Sequence, residues 1–296
     1  MRKILFLLLV VCISNAYGQT KSYDYCYSNT KGICVYSVAD KKELLIVSSN
    51  KGTDPCISPD GTKLAYTVNY PNGDRNIAII DLTTKQKTVL NTESRNCYGP
   101  VWSPDGQYVA YNVFNPQKSN WLVAVIDAAN TSYKVLTAQL EQSYMPSWLA
   151  DSKSVVVQNM DTVFIFDLQG NIITTYKIAD MGNGVAVLKD SGPSSSDRFI
   201  FTSDNRKVVF SSEVNEPGGS DGPPTSVFVY NTESKSALRL CPKGYFAGGV
   251  FIKGNKVLFT ASKLKSTVQN VYTVDLDGKN FRLLFPNCAD ISARIN

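Results

Sequence analysis

Short apolar runs of four to seven residues, each ended by Gly, Pro, Asn or Asp, recur along almost the whole chain. That pattern predicts β-strands separated by tight turns. No stretch places apolar residues at helical spacing, which excludes a solenoid of helices. The runs repeat in groups. Ser58-Pro59-Asp60-Gly61 and Ser103-Pro104-Asp105-Gly106 are each followed by an apolar residue, Leu64 or Val109, and then by Ala65-Tyr66 or Ala110-Tyr111. Weaker copies start near Met145, Phe201 and Val250. Each copy leads into a strand that closes on a polar residue: Asp81, Asp127, Asp167, Asn231 and Asp275. These markers lie 46, 40, 64 and 44 residues apart. Four short strands per period of about 40–50 residues predict a propeller blade. The long interval predicts extended loops over 190–197 and 216–224 in a fourth blade.

Five such units leave the two ends of the chain. The run 33–38 matches a third strand, with Ser37 lying 44 residues before Asp81. The run 23–27 reads as a second strand and 44–46 as a fourth, but the unit has no innermost strand. Residues 290–296 stand where one is due. The expected fold is all-β: a six-bladed β-propeller of four-stranded antiparallel blades, closed by pairing the N- and C-terminal strands so that no edge stays open.

In this frame Ser-Pro-Asp-Gly is the turn leaving the innermost strand. Proline fixes φ, Asp bonds the turn backbone, and glycine takes a positive φ. Asp60 and Asp105 are therefore read as structural acids, as are Asp81, Asp127, Asp167 and Asp275. Trp102 and Trp148 are read as packing between blades. The pattern S-P-D-G-x-x-[VL]-A-Y at 58–66 and 103–111 resembles the WD40-like (PD40) repeat of TolB-like β-propellers. The resemblance implies the propeller fold and a non-catalytic disc whose loops and central funnel dock a protein or peptide.

Composition narrows the chemistry. The chain has no histidine, which removes Ser-His-Asp and Cys-His catalysis, His-ligated metals and an imidazole base. Residues 218–222 match G-x-S-x-G but lie in a Gly/Pro loop without a following helix. Asp275-Leu276-Asp277-Gly278 starts like a calcium loop, yet its twelfth position is Pro286, which favours a hairpin turn. No catalytic residue, metal or cofactor is assigned. The net charge of +5 comes from scattered Lys and Arg, without the basic patch that nucleic acid needs.

Arg2 and Lys3, the apolar run 4–13, and Ala16-Tyr17-Gly18 form the three parts of a signal peptide over 1–18. A single, monomeric propeller domain is then expected over 19–296, exported to the periplasm or outside the cell, with no membrane span in the mature chain. Cys26 and Cys34 flank the turn at 29–32 and are expected to face each other as a disulfide, with free buried thiols as the alternative. For binding, the residues beside each innermost strand should converge at the funnel mouth: Asp54, Arg95, Tyr98, Tyr144, Phe246, Asp290 and Arg294. Aromatic and arginine side chains on a rigid rim suit a protein or peptide partner. Packing between blades is the alternative role for these aromatics, and stacking Tyr and Trp leave a glycan as a second ligand class.

Overall fold

In a computed structural model, the structure is described for residues 21–218 and 223–295. The expected signal peptide and most of the G-x-S-x-G match lie outside these residues. The described chain forms six four-stranded antiparallel sheets, five of them built from consecutive strands. The innermost strands of the first five blades are Gly52–Ile57, Cys97–Trp102, Tyr144–Trp148, Ile200–Phe201 and Tyr245–Lys253. The sixth sheet orders Ala289–Ala293, Tyr25–Asn29, Gly32–Ser37 and Lys42–Ser48 from inside to outside. Its innermost strand therefore comes from the far end of the chain, pairing Tyr25 with Ala293 and Cys26 with Ser292. The six-bladed ring closed by both ends is the fold that the sequence predicts.

The repeated turns act as their chemistry requires. Ser58 Oγ donates to Asp60 Oδ1 (2.6 Å), which also accepts the Thr62 amide (3.0 Å), while Ser58 Oγ accepts the Lys63 amide (2.9 Å). Ser103 and Asp105 repeat the same bonds at 2.6, 3.0 and 2.9 Å. Burial alone would raise the Asp60 pKa, but the Ser58 and Thr62 hydrogen bonds hold it below the usual carboxylate range. In the fourth blade Thr202 and Asp204 form the turn (2.6 Å), and Asn205 takes the glycine position at φ 58. Each core tryptophan ties two blades together. Trp102 Nε1 donates to the Cys56 carbonyl and Trp148 Nε1 to the Val101 carbonyl, both at 3.1 Å.

The long interval before the innermost strand of the fourth blade carries a one-turn helix, Ile178–Met181, and a 3-10 turn, Ala186–Leu188, ahead of the expected loop over 190–197, which holds no helix or strand. Ile178 and Met181, three residues apart on that helix, bury against a cluster containing Phe199 and Phe201. One expectation is corrected, that of the thiols. Cys26 opposes Val35 and Cys34 opposes Tyr27, so alternation sends Cys26 and Cys34 to opposite faces of the hairpin. Both are free and buried, as are Cys56, Cys97, Cys241 and Cys288.

Candidate functional site

All six innermost strands run in one direction around a central channel. We call the end where they start the upper mouth and the end where they finish the lower mouth. Near the upper mouth, five of the six strands break their ladder with a β-bulge or register shift. One residue at each break adopts a left-handed backbone: Asp54 (φ 52), Gly99 (φ 67), Met145 (φ 48), Gly249 (φ 62) and Asp290 (φ 53). A bulge turns the extra residue away from its usual face. The next residue in the first three blades is Pro55, Pro100 or Pro146, which is tolerated because a bulge leaves its nitrogen outside the ladder. The fourth-blade residue at this level is Arg198, which has a negative φ.

Polar residues on the second strands, Thr67 and Asn112 of them buried, fix this ring. Thr67 Oγ1 and Asp54 Oδ2 accept the Gly99 amide at 3.1 and 3.3 Å, and Thr67 donates to Asp54 at 2.7 Å. Asn112 Oδ1 accepts the Met145 amide at 2.8 Å, and Thr260 Oγ1 accepts the Asp290 amide at 3.1 Å. In the fourth blade the buried Asp197 carboxylate performs this task locally. It accepts from the Ser194 amide and hydroxyl and from the Ser211 hydroxyl.

Of the residues expected at the mouth, Asp54, Tyr98, Tyr144 and Asp290 come together there, with the half-buried Phe246 three residues ahead of Gly249. Tyr144 is almost fully buried, and its hydroxyl donates to Gln142 Oε1 at 2.9 Å. Arg95 faces sideways, into a lateral cleft shared with Glu93, Phe114 and Lys118. Arg294 does not belong to the mouth. It lies at the opposite end of its strand, where Nε pairs with the Asp24 carboxylate at 3.0 Å and seals the sixth blade.

Arg75, Trp121 and Arg198 also join this end of the channel, and no sequence motif singles them out. The Arg75 guanidinium lies 4.7 Å from the Tyr98 ring centre and 5.5 Å from that of Trp121, and its Nε donates to Asn96 Oδ1 at 2.9 Å. Tyr98 and Trp121 meet edge-to-face at 4.9 Å. Arg198 of the fourth blade reaches toward the second, its Nη2 lying 4.0 Å from where a Gly99 Cβ would stand. Beside Asp290, a cleft of about 480 Å³ is lined by Ser28, Asn29, Gln269 and Asn287. These side chains can donate to and accept from a peptide backbone.

Asp290 is solvent-accessible, yet the surrounding blades partly desolvate its carboxylate. That burial, and next the Asp54 carboxylate nearby, raise its pKa. The folded chain therefore keeps a proton that the unfolded chain has lost. Stability falls as pH rises from the ordinary Asp range through the raised pKa. Asp290→Asn keeps a side chain that tolerates positive φ. It is expected to raise Tm at neutral pH and to leave Tm unchanged at about pH 3, below the ordinary Asp range. Equal shifts at both pH values would trace the effect to something other than ionisation.

The profile of the PD40 family, described as the TolB beta propeller domain, matches residues 3–170. The Tol-Pal system protein TolB of Actinobacillus succinogenes is 36% identical over 62 residues, which is 21% of this chain and 14% of that protein's length. Among solved structures, TolB from Acinetobacter baumannii superposes with a TM-score of 0.66 at 16% identity, covering 94% of this chain and 67% of that one. A puromycin-hydrolysing peptidase of Mycobacterium tuberculosis gives 0.56 at 14% identity, covering 91% of this chain and 44% of the peptidase. At these identities the superpositions speak for the fold alone.

Proposed function

The chain belongs to the TolB β-propeller family, and from that premise we propose that it is an exported, non-catalytic scaffold that captures a protein segment at its upper mouth. One observation carries the proposal. Asp54 lies within electrostatic reach of both the Asp290 carboxylate and Tyr98, whose ring is held by Arg75 and Trp121. Paired acids inside a low-dielectric wall favour a cationic group, and a rigid aromatic rim supplies contact area at low entropic cost. The partner is therefore a peptide segment or loop carrying Lys or Arg near an apolar residue. Export rests on the signal-like 1–18 and gives a mature chain beginning at Gln19 that acts as a monomer in the cell envelope.

A photo-crosslinking residue at Tyr98, in protein recovered from the producing cells, tests this. It is expected to capture a discrete protein species, with the recovered chain showing the intact mass of 19–296. Asp54→Asn with Asp290→Asn should cut that capture about tenfold, the scale of a lost charge-assisted contact. The same crosslinker at Leu283, exposed on an outermost strand, should not capture it. Equal capture from both positions, or capture indifferent to the two carboxylates, overturns the proposal.

A further inference from the structure

At the lower mouth the channel changes character. Trp102, Trp148, Phe201, Phe251 and Ile252 line a cavity of about 390 Å³, and Arg198 is the single charged side chain among its described lining residues. Arg198 Nε is buried without a hydrogen-bond partner among the described residues. Asp54 lies within electrostatic reach of that guanidinium. Its Oδ2, however, is directed at Thr67 and Gly99. A guanidinium nitrogen buried without a partner is costly, and the cost is recovered when an anion completes its hydrogen bonds. An apolar cleft of this size with one convergent charge has the form of a small-molecule site.

We propose that the lower funnel binds an amphiphilic monocarboxylate, its apolar chain against the Trp102 and Trp148 indoles and its carboxylate on the Arg198 guanidinium. Burial also holds the Arg198 pKa below its usual value, in keeping with a group that gains from a counter-ion. The cavity lies at the opposite end of the innermost strands from the upper mouth, and Arg198, within electrostatic reach of Asp54, stands between the two. Asp54 connects them with opposite signs: its carboxylate favours a cationic peptide above and repels an anion below.

Dodecanoate, kept below its micelle concentration, is the probe, with dodecanol as the uncharged match. Two of the three tryptophans in the chain line the funnel, so quenching of intrinsic fluorescence and calorimetry both report binding. Dodecanoate should bind the wild-type protein, and dodecanol should bind at least about tenfold more weakly, the scale of a charge-assisted hydrogen bond. Arg198→Gln should weaken dodecanoate to the level of dodecanol. Asp54→Asn should tighten dodecanoate while weakening capture at the upper mouth. Equal affinity for acid and alcohol, an unchanged dodecanoate affinity in folded Arg198→Gln, or no binding of the acid overturns the proposal and leaves the upper-mouth reading untouched.

Discussion

Deleting residues 290–296 is expected to unfold the whole ring rather than fray one blade. The lost strand buries Ile291, Ser292 and Ala293. Ser292 Oγ accepts the Ile57 amide at 2.8 Å and bonds Cys26 Sγ at 3.0 Å, so one hydroxyl joins the sixth blade to the first. Arg294 adds the ion pair to Asp24. Removing one buried Ile costs about 2–5 kcal/mol. The open edge of Tyr25–Asn29 and the unpaired Ile57 amide add to that, against a net stability of about 5–15 kcal/mol for a typical protein. The expected result is loss of the cooperative thermal transition followed by near-UV circular dichroism. A transition at the wild-type temperature would show that the ring does not depend on this strand.

The second large effect separates two copies of one motif. Gly61 and Gly106 have φ of 74 and 73, so alanine pays the same left-handed penalty at both, about 1–2 kcal/mol. Their surroundings differ. A Cβ at Gly61 would lie 2.3 Å from the Tyr23 carbonyl oxygen, whereas at Gly106 the nearest atom is Pro59 Cδ at 3.7 Å. The Tyr23 amide also donates to the Gly61 carbonyl at 2.9 Å, which pins the segment leading into the sixth blade on the first-blade turn. Gly61→Ala is therefore expected to cost about 3 kcal/mol or more, and Gly106→Ala only the backbone term. Urea unfolding of both variants checks this, and equal losses would mean that the Tyr23 segment moves aside freely.

The blades are legible in the sequence because their markers are local. A turn and the strands on either side fit within one repeat, and the buried polar residues that fix the ring, Thr67 and Asn112, directly follow Ala-Tyr in the two clearest copies. The channel is less legible because its members come from different strands. Arg75 and Trp121 sit six residues ahead of Asp81 and Asp127. Only the up-down course of a blade reveals that a third strand begins on the same face as the first. Arg198 is hidden by the degenerate fourth copy, whose regular innermost strand is just Ile200–Phe201. Aligning Phe201 with Trp102 would have placed Arg198 level with Gly99. Arg294 is close to Asp290 in sequence but not in space, because four residues of strand span about 13 Å. At Cys26 and Cys34 the turn was read correctly and the register was off by one, since Asn29 pairs with Gly32.

The bond between Cys26 and Ser292 joins residues 266 positions apart, and this has a consequence for how the molecule is made. Five blades can assemble from neighbouring segments as the chain emerges, but the sixth waits with its inner side bare. Contacts of such long range form late and slowly. During that interval Tyr25–Asn29 is an unpaired strand able to pair with another nascent chain. The newly synthesised protein is thus most vulnerable to self-association just before residues 289–293 dock, and high expression at elevated temperature lengthens the odds against correct closure.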